Sequence, residues 1–133
     1  MTDHELLQTF EDCSLSENDF HHPQHVRVAW LYLGQGSLIE ALQRLTKNLR
    51  RFAASKGKPD RYHETITWAY VFLTHQRMQQ QPSGDWEDFA RRNADLLTWR
   101  PSLLDHYYRP ETLSSPLARS VFLLPDEVYE ALR

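Results

Sequence analysis

Only one cysteine, Cys13, occurs in the chain, so no disulfide can form within it. Acidic residues surround it in the sequence, not the cations that activate a thiol, which argues against a nucleophile there. Glycine is scarce, with four residues in 133, which excludes a linker-rich or collagen-like architecture. No Gly-rich phosphate loop is present: Gly34-Gln35-Gly36 lacks a third glycine and a preceding strand. No apolar run is long enough to cross a bilayer. The first residues, Met1-Thr2-Asp3-His4-Glu5, are acidic where a secretory signal would be basic. A cytosolic protein with no membrane association is expected. No strand-like alternation, internal repeat or long heptad run is found. A chain of 133 residues fits one domain, 1–133, that needs neither disulfide nor structural metal to fold.

What is present is helical periodicity. Residues 2–12 read as a short helix, capped by Thr2 or Asp3, with Leu6, Leu7 and Phe10 as its apolar stripe. A polar turn runs to Asp19. Residues 20–97 carry about four main helices. The first starts near Pro23, a favoured first-turn residue, and is apolar at nearly every position from Val26 to Leu33. Such a helix is central. The second is capped by Ser37, carries Leu38, Leu42, Leu45, Leu49 and Phe52 at helical spacing, and ends at Gly57 and Pro59. Glu40 and Arg44 form an i,i+4 pair on its outer side. The third is expected to start with Asp60 as cap and to run to about Gln81. The fourth starts at Asp85 and runs to Leu97. Beyond it, residues 98–133 are cut by Pro101, Pro110, Pro116 and Pro125. That segment is too apolar for disorder and is expected to wrap the bundle as short helices. The fold class is all-α, a compact helical bundle with a proline-punctuated C-terminal wrap.

The charge is unevenly spread. Residues 1–26 hold six acidic side chains and no Lys or Arg, while residues 27–61 hold eight basic and two acidic ones. Either the acidic start folds over the basic stretch, or that stretch faces a partner. Arg44, Lys47 and Asn48, and Arg51 fall on the expected solvent side of the second bundle helix. No nucleic-acid recognition motif accompanies the basic group, which also includes Arg50, Lys56, Lys58 and Arg61. The group is read as a solvated face, and no nucleic acid is expected.

Two helix starts carry the chemistry. One is Phe20-His21-His22-Pro23-Gln24-His25, the other Tyr62-His63-Glu64-Thr65-Ile66-Thr67. The intervening connections are short and demand antiparallel neighbours. The first and third bundle helices then run parallel, and their starts share one end. The positive end of a helix disfavours imidazolium, so these histidines lean neutral, the form that binds metal or accepts a proton. A metal site would use three histidines, His21 or His22 together with His25 and His63. Glu64 would be a fourth ligand or general base, and a bound water the nucleophile. Zn, Fe, Ni and Cu all suit such donors. Thr67, one turn below His63, would orient a ligand. Tyr107, Tyr108 and Arg109 would cover the rim. The zincin pattern is broken, because Thr67 stands where its second histidine belongs. No Glu-x-x-His pair supports a di-iron site. His4, His75 and His106 stand isolated.

Two other readings stand beside the metal one. A histidine at a helix start is often a cap or packing residue, with His22 as N-cap and Glu64 complementing the dipole. Alternatively, paired helix starts take a small anionic ligand or a protein partner without catalysis.

The segments Phe20-His21-His22-x-x-His25-Val26-Arg27-x-Ala29-Trp30, Tyr62-His63-Glu64-Thr65-Ile66-Thr67 and Leu103-Leu104-Asp105-x-Tyr107-Tyr108 resemble those of a family of small, uncharacterised bacterial helical proteins. The resemblance spans Phe20 to Asp126. It implies a self-standing helical protein and no particular activity.

Overall fold

A computed structural model describes residues 1–82 and 84–126. Helix α1 (Asp3–Glu11) is capped by Thr2, whose hydroxyl accepts the Glu5 N–H at 3.1 Å. A 3₁₀ turn (Glu17–Asp19) leads into α2 (His22–Gln35), then α3 (Leu38–Ser55). Ser37 and Glu40 close a reciprocal capping box at the start of α3 (3.1 and 2.8 Å). Glu40 therefore serves its own cap, while Arg44 reaches Gln35 at 2.8 Å. A second 3₁₀ turn (Pro59–Arg61) precedes α4 (Glu64–Gln80). The expected cap Asp60 lies inside that turn, and His63 is the N-cap instead. The reason is local: Pro59 starts the turn, and the imidazole brings an acceptor to the Ile66 N–H, one of the orphan donors in the first turn of α4.

Asp85 caps α5 (Trp86–Arg92), but the helix expected to reach Leu97 breaks at Asn93. Asn93 is 1% exposed, and its amide donates to the Phe89 carbonyl at 2.9 Å. Its oxygen accepts from Arg77 at 2.9 Å. A side chain that bonds its own helix backbone competes with the helical ladder. The chain resumes as α6 (Ala94–Leu97), a 3₁₀ turn (Leu103–His106), α7 (Pro110–Leu113) and α8 (Pro116–Ser120). The expected wrap of short helices is realised as far as Asp126. Its last residues lie outside the described ones. Among the described residues there is no strand.

Helix α2 lies between two apolar clusters. Val28, Leu31 and Tyr32 join Leu6, Phe10, Leu45, Leu49 and Phe52 on one side. Val26 joins Tyr70, Phe89, Leu96, Leu104 and Tyr108 on the other. Trp30 touches both. This double burial is why α2 lacks a polar face. The acidic start does fold over the basic stretch. Asp3 pairs with Arg27 at 2.6 Å, and Glu17 with Lys58 at 2.8 Å. Glu11 accepts from Tyr32 at 2.9 Å, while Asn48 donates to the same Tyr32 oxygen at 2.9 Å. Arg51 donates to the Glu11 carbonyl and to Asn48. Asn48 is thus buried, not on the solvent side as its position in the basic run suggested. The incoming α1 covers that flank of α3.

The wrap is pinned to α4 through Thr65, which is fully buried. Its hydroxyl faces the carbonyls of Ala118 and Val121, both at 2.8 Å, and accepts the Leu123 N–H at 3.1 Å. Removing a buried hydroxyl and leaving its partners orphaned costs about 1–3 kcal/mol. Thr65→Val, nearly isosteric, is therefore expected to lower unfolding free energy by about 2 kcal/mol in denaturant titrations. Amide exchange at Leu123 should rise more than at core residues of α2.

Candidate functional site

The starts of α2 and α4 do share one end of the bundle, and between them lies a cavity of about 540 Å³. His21, His22, His25, His63 and Thr67 all line it. The two-start geometry read from connection lengths is correct. What each histidine does there differs from one to the next.

His21 is the N-cap of α2, and its backbone N–H donates to the Gln24 side chain at 2.9 Å. His22 packs edge-on against Tyr70 (4.5 Å between centroids) and tilts against Trp99 (4.9 Å). Its Nε2 meets the Leu96 carbonyl at 2.8 Å, so that nitrogen carries the proton. His63 is buried and uses both nitrogens. Nδ1 accepts the Ile66 N–H at 3.1 Å, and Nε2 donates to the Leu113 carbonyl at 2.7 Å. Its tautomer is fixed, and neither nitrogen is open to a metal without breaking a backbone bond.

His25 is different. Its ring stacks on Phe20 at 4.1 Å between centroids, with a 21° interplanar angle. Neither ring nitrogen has a hydrogen-bond partner among the described residues. Burial, with His22 and His21 nearby, pushes its pKa down to about 3. Burial also lowers the pKa values of His22 and His63, opposed in each by the carbonyl that the ring holds. The neutral state expected from helix dipoles is thus reached mainly by desolvation.

Glu64 lies outside the cavity wall. It accepts the Tyr62 hydroxyl and stands 3.8 Å from Arg50, whose guanidinium covers the Tyr62 ring at 4.4 Å. Burial and Glu64 together push Tyr62 up to about 12. The expected general base is therefore held by Tyr62 and Arg50 and is not part of the cavity lining. Tyr107, Tyr108 and Arg109 do not line the cavity either. Tyr108 is buried and donates to the Leu123 carbonyl at 2.6 Å, while Tyr107 is exposed. No group of three or more His, Cys, Asp or Glu among the described residues is arranged to hold a metal ion.

The cavity wall also holds residues that the sequence pattern did not single out. Phe20, Leu49, Phe52 and Ile66 form an apolar lining, and Trp99 stands at its edge, 42% exposed. Four cations surround it: Lys56, Lys58, Arg61 and Arg119. Lys56 lies over the Phe52 ring at 5.0 Å and holds the Cys13 carbonyl at 3.0 Å. Arg119 holds the Asp60 carbonyl at 2.8 Å. The one carboxylate on the wall among the described residues, Glu17, pairs with Lys58 and stands 3.6 Å from Arg61. The basic stretch read as a solvated face is therefore divided. Arg44 and Arg51 serve the Glu11 network, whereas Lys56, Lys58 and Arg61 turn toward the cavity. Lys56, Lys58 and Arg61 were visible as charge, but only the end of α3 and the 3₁₀ turn after it bring them to the cavity. Arg119 and Trp99 carry no sequence signal beyond their place in a proline-cut segment.

The histidines set a pH dependence. An unfolded histidine titrates near 6.5, whereas folded His25 titrates near 3. Below pH 6.5 the unfolded chain binds the extra proton first, so stability present above that pH is lost as pH falls. His25 alone should cost about 1 kcal/mol between pH 6.5 and 5.5, with His22 and His63 acting in the same direction. His25→Phe keeps a ring on Phe20 and removes the titration. Its unfolding free energy, measured in denaturant across that window, should fall less than wild type by about 1 kcal/mol.

Comparison with protein-family models, curated proteins and solved structures finds no match for this chain, so its site is read from its own geometry.

Proposed function

We propose that this protein is a binding module for a small organic anion with an apolar body, seated between the starts of α2 and α4. One observation carries the reading. A cavity lined by Phe20, Leu49, Phe52 and Ile66 is bordered by Lys56, Lys58, Arg61 and Arg119, with Glu17 as the sole opposing carboxylate among the described residues of its wall. Apolar walls with a few convergent polar groups are the usual form of a small-molecule site, and about 540 Å³ falls within the usual size range. Charge at the rim orients the anion and speeds its capture, while burial of the apolar body supplies affinity.

The metal reading asks more of the same residues than their bonding supports. His63 has both nitrogens bonded to backbone, His22 has given Nε2 to Leu96, and Glu64 is held by Tyr62. Catalysis by His25 is also disfavoured, because a base works best with a pKa near the working pH and burial has pushed His25 far below it.

Calorimetric titration with phenylacetate, phenyl phosphate and neutral benzyl alcohol tests the proposal. The two anions should bind with affinity that weakens as salt is raised, and the alcohol should bind poorly. Lys56→Gln and Arg119→Gln should each weaken anion binding by about tenfold. Equal binding of alcohol and anions, or affinity indifferent to both substitutions, defeats the reading. Stoichiometric zinc uptake without any anion binding would return the site to the metal alternative.

A further inference from the structure

One wall of the cavity has an order that the charge pattern alone does not explain. It begins at Lys56, whose ammonium sits 5.0 Å from the Phe52 centroid. Phe52 lies 4.9 Å from Phe20, and Phe20 is stacked on His25 at 4.1 Å. The wall therefore runs from a cation, across two phenyl rings, to an imidazole. His22 and Trp99, with ring centroids 4.9 Å apart, add a second aromatic pair to the same cavity. Ring-lined walls favour a planar ring between them, by offset or edge-on contact.

The imidazole end is set up for a polar but uncharged group. His22 and His63 spend nitrogens on the Leu96 and Leu113 carbonyls, whereas His25 bonds to no described residue. His25 lines the open cavity, so a ligand seated there displaces water from its ring, and a ligand group that hydrogen-bonds the imidazole restores the bond the water made. A neutral imidazole offers one N–H and one acceptor nitrogen. It competes poorly for an anion against the four cations that border the same cavity. It is well matched to a hydroxyl or N–H, which a cation cannot accept.

Resting on the anion-binding reading above, we infer that the ligand is an aromatic acid with a hydrogen-bond donor, such as a phenolic hydroxyl, on the far side of its ring from the anionic group. His25 is the residue that selects for that donor. The anionic end lies toward Lys56, the ring along Phe52 and Phe20, and the donor at an open nitrogen of His25. No bond is made or broken.

Three acids of similar shape test this on the full chain: para-hydroxyphenylacetate, phenylacetate and para-methoxyphenylacetate, titrated calorimetrically into wild type, His25→Phe and His25→Gln. In wild type the hydroxy acid should bind about three- to tenfold more tightly than the other two. His25→Phe should erase that preference while still binding all three. His25→Gln, which restores an acceptor, should keep part of it. If the three acids bind wild type equally, the inference fails while the anion site stands. A hydroxyl preference that survives in His25→Phe also overturns it. If none of the three binds, both readings fall. Should His25→Phe not fold, as judged by its melting curve, the wild-type comparison of hydroxy with methoxy acid still decides.

Discussion

The two-sided bond of His63 holds together the end of the bundle where the cavity lies. Its Nδ1 closes the first turn of α4, and its Nε2 proton holds the Leu113 carbonyl of α7. One neutral ring thereby caps a helix and fastens the C-terminal wrap to it. Each bond fixes the tautomer that the other requires, and burial keeps the ring uncharged. Protonation would turn the Nδ1 acceptor into a donor facing the Ile66 N–H, so the cap holds only while the ring is neutral. Thr65 and Arg119 repeat the linkage nearby, binding the wrap to the start of α4 at Ala118, Val121 and Asp60.

That linkage explains how the cavity draws its walls from separate parts of the chain. Its histidine side comes from α2 and α4, and its Lys56 and Lys58 side from the end of α3 and the turn after it. Trp99 and Arg119 come from the wrap. Without the wrap, two of the groups that give the site its aromatic and cationic character would be missing. Beneath the site, α2 is held from both sides by apolar clusters, so His25 stands on a rigid element. Its stack on Phe20, itself stacked on Phe10 at 4.9 Å, fixes the plane of the ring.

Much of the fold was legible because its signals are local. Ser37 and Asp85 cap the helices their positions indicate, since a short polar side chain beside an orphan N–H needs no distant partner. The apolar run in α2 gave its central place for a similar reason. Signals that depend on a competing contact were not legible. Asp60 looked like a cap until Pro59 drew it into a 3₁₀ turn. Asn93 looked helical until Phe89 and Arg77 claimed its side chain. Asn48 looked solvated until α1 covered it and brought Glu11 and Tyr32 within reach.

The sequence by itself determined the all-α class, the parallel run of α2 and α4 and the meeting of their histidine starts, because periodicity, caps and short connections leave little freedom. Tertiary structure alone decided what those histidines do. A ring nitrogen is a ligand, a cap or an open acceptor according to which carbonyl or N–H arrives beside it. The partners that decide, Leu96 for His22 and Leu113 for His63, lie far along the chain. His25 is left open because no such partner arrives from the described residues, and Glu64 is held outside the cavity wall by Tyr62 and Arg50. Long-range packing distributes hydrogen bonds among chemically identical side chains, and spacing along the chain carries no record of that distribution.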